Sequence, residues 1–206
     1  MIRLYRAPWS TNCERVTLAL AHKGLGDEVE SMWIDYADRS PVVAVSGQEL
    51  VPVIDHDGTV VADSLAILRY LEELAPDPPL FPREHARRAE LDLFLDWFDR
   101  VWKPAPNAIE ADPGHPRVAE LSARMDAHLD VFEALLDGRD HLLGDEFSTA
   151  DCAAYPFLKF AAGRPPGDDE PFHLVCDEHQ SVAGRPRLAD WIERIAIRSD
   201  PGAPPA

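Results

Sequence analysis

Residues 50–73, LVPVIDHDGTVVADSLAILRYLEE, join a Val-Pro step, a tight turn and a capped helix without a spacer, and each junction has a chemical use. Val51-Pro52 precedes a short apolar strand, Val53-Ile54. A proline there removes a ladder donor and permits a cis peptide, leaving the Val51 backbone to pair outside the sheet. Asp57-Gly58 is a hairpin dipeptide, Val60-Val61 the returning strand, and Asp63-Ser64 the start of a helix carrying apolar Leu65, Ile67, Leu68, Leu71 and Leu74. A free backbone edge therefore lies beside an open helix N-terminus. An extended peptide bonded to Val51 would set its carboxylate on the Ser64 hydroxyl and the first helical N–H groups, where the macrodipole favours anions. The pattern suits a small acidic peptide; plain helix capping is the alternative use of Asp63 and Ser64.

The elements that must position this segment follow from periodicity. Residues 2–5 read as a strand, 10–23 as an amphipathic helix closed by Gly24, 29–34 as a second strand, and 41–45 as a short helix. With the hairpin and the Ser64 helix the order is βαβαββα, an α/β layer of sheet and helices. The proline-dense stretch APDPPLFP at 75–82 marks a linker, dividing the chain into a domain over 1–76, a connection over 77–84 and a second domain over 85–206. From residue 83 onward helical spacing takes over, predicting an all-α bundle. Leu93, Phe94, Trp97 and Val101 share one face of its first helix, and Leu91, Leu95, Phe98 and Trp102 another. Two apolar faces imply two neighbours: the bundle on one side, and on the other a partner subunit, a hydrophobic substrate or more core. Val118, Leu121, Met125, Leu129, Phe132 and Leu136 mark a second long helix. Ser148-Thr149-Ala150-Asp151 is a capping box with a structural role, and Leu188, Trp191, Ile192 and Ile195 turn inward from a last helix beginning near Pro186. The terminal DPGAPPA is expected to fray.

Composition excludes several classes of function. The formal net charge of −17 opposes binding to nucleic acid or an anionic membrane. No apolar stretch is long enough for a membrane span, and the strand-like start with Arg3 and Arg6 is unlike a signal peptide, so a cytoplasmic location is expected. Cys13, Cys152 and Cys176 are three in number and widely spaced, as reduced thiols are. His173, Cys176 and His179 recur every third residue like metal ligands but lack a fourth clustered ligand, so no metal is expected. The acidic run Asp168-Asp169-Glu170 reads as solvated surface.

The Val-Pro to Asp-Ser block closely resembles the glutathione-binding half of the glutathione transferase family, whose thioredoxin-like domain carries a cis Val-Pro and an acidic-Ser pair at these places. The resemblance extends to MIRLYRAPWSTNCERVTLAL at the N-terminus, and to HLLGDEFSTADCAAYPFL and RPRLADWIERI further on. It implies a thioredoxin-like N-terminal domain, an all-helical C-terminal domain and glutathione as substrate, held by Val51, Pro52, Asp63 and Ser64. It also implies a homodimer and a role in detoxification. Asp63 departs from the family's commoner glutamate by one methylene, which leaves it to reach the ligand's ammonium through water or a shift of the helix. Gln48 and Arg39 are further polar candidates, with a solvated surface as the alternative.

In such folds the loop after the first strand delivers the reactive group to the first helix, and here that loop runs Ala7-Pro8-Trp9-Ser10-Thr11-Asn12-Cys13. Ser10 occupies the first position of a C-x-x-C-like frame and resembles the catalytic serine of serine-type transferases. A free thiol has a pKa of about 8.5, and lowering it by about two pH units takes roughly 2.7 kcal/mol. A hydroxyl hydrogen bond to a charged sulfur contributes about 1.5–3 kcal/mol and a helix N-terminus about 0.3–1, which together suffice. Ser10 would donate a hydrogen bond, not abstract the proton; simple N-capping is its alternative role. Cys13 is a second candidate, as a low-pKa thiol forming a mixed disulfide in a glutathione-dependent reductase, and Tyr5, at the end of the first strand, a third. Trp9, Trp97, Trp102 and Phe160 are candidates for the wall of a pocket taking a small hydrophobic electrophile, although helical spacing also fits Trp97 to core packing. A noncatalytic glutathione-binding or scaffold protein of the same fold is the other class of function.

Overall fold

A computed structural model describes residues 1–197, and the expected fraying of DPGAPPA falls outside them. The described residues form two units. One holds Met1–Phe81 together with Ile197, and the other holds Pro82–Ala196, so the break falls within the stretch 77–84.

The first unit is a four-stranded sheet with helices. Strands β1 (Ile2–Arg6), β2 (Val29–Trp33), β3 (Val53–His56) and β4 (Thr59–Ala62) lie in the order β2-β1-β3-β4; helices α1 (Thr11–His22), α2 (Ser40–Ser46) and α3 (Ser64–Leu74) complete the βαβαββα sequence. β1 and β2 are parallel, whereas β1–β3 and β3–β4 are antiparallel. The β3–β4 turn has positive φ at both central residues, 52° at Asp57 and 91° at Gly58. That geometry matches the strand twist and is tolerated by an Asp-Gly pair. Along β1, Ile2 and Leu4 are buried while Arg3 is exposed, the alternation a pleated strand requires. Cys13, Val16 and Leu20 supply part of the buried face of α1, which packs against α3.

The proline-dense stretch is docked, not free. Leu80 and Phe81 are buried. Lys23, its side chain fully buried, donates to the Glu72 carboxylate and to the carbonyls of Ala75 and Pro78, at 2.6 and 2.7 Å for the carbonyls. Glu72 Oε2 also accepts the Leu80 N–H at 2.9 Å. An ammonium taken out of water is tolerated only when its donors are all used, and here they anchor the end of α1 to the chain leaving α3.

The second unit contains α4 (His85–Trp97), a π-helical turn (Phe98–Trp102), α5 (Pro104–Ala111), α6 (Val118–Leu135), α7 (Thr149–Leu158), α8 (Pro171–His179) and α9 (Pro186–Ala196). Of the two predicted faces of the first helix, Leu91, Leu95, Phe98 and Trp102 are all buried. The other splits: Phe94 and Trp97 pack on Phe132 of α6, while Leu93 and Val101 stay exposed. The capping box at Ser148 forms. Its Asp151 carboxylate, wholly buried, also accepts the Leu142 N–H at 3.1 Å and the Trp191 indole N–H at 2.8 Å, joining α7 to α9.

Asp168 corrects an expectation, because it is buried, not solvated. Its carboxylate lies 2.8 Å from Nδ1 of buried His173, whose ring stacks on Phe160 at 4.3 Å. Helix α8, started by Pro171, explains the three-residue spacing of His173, Cys176 and His179. The first is bound to Asp168, the second is buried with its thiol pushed up by desolvation, and the third meets Ser122 Oγ at 3.1 Å. Among the described residues no helix is long and apolar enough to cross a membrane.

Replacing Lys23 with Met leaves the Glu72 carboxylate without its cation and frees the Ala75 and Pro78 carbonyls. The expected loss is about 3 kcal/mol, at the low end for a broken buried pair because Glu72 keeps 19% of its surface. Urea unfolding of Lys23→Met, with circular dichroism as the probe, measures it; a loss under about 0.5 kcal/mol contradicts the anchor.

Candidate active site

Sheet register brings the candidate residues to one place. Tyr5 pairs with Val53, and Val53 pairs with Ala62, so these residues form one row across three strands. The chain leaves β1 just past this row toward Ser10, enters β3 just before it from Val51-Pro52, and leaves β4 just after it into Asp63-Ser64. Three segments distant in sequence thus open from one end of the sheet, at the ends of its strands. Val51-Pro52 is cis, and Val51 packs on the cluster of Tyr5, Ile34, Val42 and Val53 while its N–H and C=O have no partner among the described residues.

Ser10 is the N-cap of α1, in extended conformation, and its Oγ accepts the Cys13 N–H at 3.3 Å. The Cys13 sulfur faces the same hydroxyl. A hydroxyl that accepts through one lone pair still has its hydrogen to give, and a charged sulfur is a better acceptor for it than a neutral thiol. Trp9, with φ of 62° and half its surface exposed, stands next to Ser10. The charge of Arg6, whose guanidinium lies over the Trp33 ring, reaches the same helix end.

Cys13 departs from the low-pKa thiol considered for a reductase. It is buried, and desolvation pushes its pKa up from 9.0, outweighing the Ser10 hydrogen bond, the backbone contact at Ala7 and the Arg6 charge, which act downward. Tyr5 is likewise buried, in the apolar cluster beneath Val51.

At the start of α3, Asp63 has φ of 79°, a left-handed conformation uncommon outside glycine. Its Oδ1 accepts the N–H groups of Leu65 and Ala66 at 3.0 and 3.1 Å. Those donors, expected to receive a ligand carboxylate, are therefore already used by the cap. What remains at the start of the helix is the N–H and hydroxyl of Ser64, together with Oδ2 of exposed Asp63. Ser64 is buried, and its Oγ lies 3.5 Å from Nη1 of Arg15, a buried residue of α1. Arg15 escaped sequence reasoning; its only signal was a charge set among apolar positions of a helix. Gln48 and Arg39 turn out to brace the backbone. The Gln48 amide bonds both the N–H and C=O of Leu50, and Arg39 donates to the Glu49 carbonyl at 3.2 Å.

The aromatic wall candidates are distributed unevenly. Trp9 belongs to the first unit and the other three to the second. Trp102 stacks on Phe98 at 4.8 Å and Phe160 on His173, both as core residues, whereas Trp97 is only partly buried.

Comparison with known proteins agrees with this fold. Residues 4–79 match the model of the glutathione S-transferase N-terminal domain, and residues 60–194 that of the glutathione S-transferase C-terminal domain. Glutathione S-transferase L1 of Arabidopsis thaliana is 28% identical over 199 residues, 94% of this chain and 77% of its own. FtsZ-localized protein A of Caulobacter vibrioides is 31% identical over 172 residues, 75% of each chain. Among solved structures, a glutathione S-transferase from Rhodospirillum rubrum superposes with a TM-score of 0.74 at 28% identity, covering 95% of this chain and 87% of that one.

The raised Cys13 pKa makes this thiol protonated and slow to react at neutral pH. Iodoacetamide, followed by mass spectrometry, should label Cys13 in the folded protein at less than about a tenth of the rate of free cysteine at pH 7.5. The rate should climb only as pH rises above 9.0 or the protein unfolds. Rapid labelling at pH 6 contradicts this.

Proposed function

The chain belongs to the glutathione S-transferase family, and from that premise we propose that it binds glutathione at this end of the sheet and uses Ser10 to hold the bound thiol as a thiolate. The tripeptide lies extended along Val51-Pro52, pairing with the unpartnered Val51 N–H and C=O. Its γ-glutamyl carboxylate takes the Ser64 hydroxyl hydrogen, and its ammonium faces Asp63 Oδ2. Its sulfur reaches the N-terminus of α1, where the Ser10 hydroxyl donates to it and the helix end favours negative charge. The thiolate then attacks a hydrophobic electrophile, forming a thioether and releasing the leaving group or taking up a proton, with Trp9 offering aromatic surface beside Ser10. The observation that carries this reading is the row Tyr5, Val53 and Ala62, from which all three binding segments depart together. Following the family's habit, we read the protein as a cytoplasmic homodimer.

A second reading is supported by the relative at 31% identity, whose name, FtsZ-localized protein A, records a location and not a reaction. On that reading the site binds glutathione or nothing and performs no chemistry. Burial of Cys13 speaks against the third, a reductase.

Calorimetric titration with reduced glutathione, and the pH dependence of thiolate absorbance in the complex, separate these. Ser10→Ala should raise the pKa of the bound thiol by about one to two pH units, the equivalent of a hydrogen bond to a charged group. Its turnover should then fall near pH 6.5 and recover as pH rises through the thiol's new value, since only the thiolate reacts. Asp63→Asn keeps the cap oxygen and removes the charge, so it should weaken glutathione binding about fivefold with a stability change under about 0.5 kcal/mol. Binding without a lowered thiol pKa favours the noncatalytic reading, and no binding at millimolar glutathione sinks the glutathione site altogether.

A further inference from the structure

We propose that Arg15 is a positioning residue for the ligand carboxylate: by donating to Ser64 Oγ it turns that hydroxyl's hydrogen outward, so that Ser64 meets the carboxylate as a donor. The inference rests on the reading of Ser64 as a glutathione contact.

Arg15 sits in the second turn of α1 with 2% of its surface exposed, and its Nη1 lies 3.5 Å from the oxygen of Ser64, itself 4% exposed. A guanidinium offers only N–H donors and stays charged over the whole working pH range. In this contact the Ser64 oxygen must accept. A serine hydroxyl left to itself rotates freely, and a cation held at one lone pair turns its hydrogen away from that cation. Its hydrogen is left for another acceptor, and polarisation by the guanidinium strengthens it as a donor. Because Asp63 Oδ1 already occupies the Leu65 and Ala66 N–H groups, this hydroxyl and the Ser64 N–H are the donors left to a carboxylate at the start of α3. Arg15 also lies little more than one turn along α1 from Ser10. A single helix thereby sets both the thiol end of the site, through Ser10, and the carboxylate end, through Arg15 and Ser64.

The test is calorimetry on the full chain with two ligands: reduced glutathione, and 4-aminobutyryl-cysteinyl-glycine, which keeps the ammonium but lacks the γ-glutamyl carboxylate. Arg15→Gln should raise the Kd for glutathione about tenfold, the scale of one charge-assisted hydrogen bond, with Arg15→Lys falling between it and wild type. Both should leave the analogue's Kd and the kcat at saturating glutathione within about twofold. In a Ser64→Ala background the Arg15 effect should shrink below about twofold, because the two residues act as one unit. Equal losses for both ligands, or additive effects in the double variant, overturn the proposal and leave the glutathione site standing. An unchanged Kd in Ser64→Ala alone overturns the Ser64 assignment and this proposal with it. Should the Arg15 variants fail to fold, arginine-labelled wild type serves. The buried guanidinium resonances should shift on adding glutathione and stay in place with the analogue; a shift with both, or with neither, overturns the proposal.

Discussion

The hydrogen-bond register of the central strands is the constraint on which the site depends. Tyr5, Val53 and Ala62 stand in one row, and only because they do so do Ser10, Val51 and Ser64 reach a common end of the sheet. Strand side chains alternate with period two, so slipping β3 by a single residue would turn Val53 and Ile54 to opposite faces and carry Val51 out of line. The register is held by features remote from chemistry. The Asp57-Gly58 turn sets β3 against β4, and burial of Ile2 and Leu4 fixes how β1 meets its neighbours. Core packing and turn geometry therefore govern the ligand geometry, although none of those residues touches the proposed ligand.

The second constraint is what helix ends leave over. A bare N-terminus offers several N–H donors to an anion, but here both relevant helices are capped by their own side chains: Ser10 Oγ takes the Cys13 N–H, and Asp63 Oδ1 takes those of Leu65 and Ala66. The caps stabilise the helices and also change what the ends recognise. Each capping side chain keeps one atom for outside use, the hydroxyl hydrogen of Ser10 and Oδ2 of Asp63. Capping and binding, which looked like rival roles for these residues, are compatible because each side chain has two polar positions.

Much of this was legible in the sequence because the signals were local. The hairpin dipeptide, the Asp-Ser helix start, the Ser148 capping box and the helical spacing each involve residues within a few positions of one another, and local chemistry determines them. What could not be read were charges whose partners lie far along the chain. Arg15 finds Ser64 and Lys23 finds Glu72, each pair 49 residues apart, and nothing near either cation in sequence says which residue it meets. Asp168 was misjudged for a related reason. Its neighbours Asp169 and Glu170 suggested surface, yet α8 carries His173 back over it and buries the carboxylate. The stretch after α3 reads as a stiff connection by its prolines, while its docking depends on a lysine at the end of α1.

Burial of Cys13 gives the arrangement around Ser10 its direction. A thiol one turn into a helix, beside a hydroxyl and within reach of the Arg6 charge, has the neighbours that usually lower a pKa, and yet desolvation prevails. A buried neutral sulfur competes poorly for the Ser10 hydrogen, whereas an arriving thiolate competes well, because hydrogen bonds to charged acceptors are about twice as strong as neutral ones. On the proposed reading, the same helix end that would activate a solvated Cys13 gives its electrostatic help to a sulfur brought from outside. Dithiol exchange is closed to this frame for a separate reason: Ser10 stands at its first position, so Cys13 has no second thiol to cycle with.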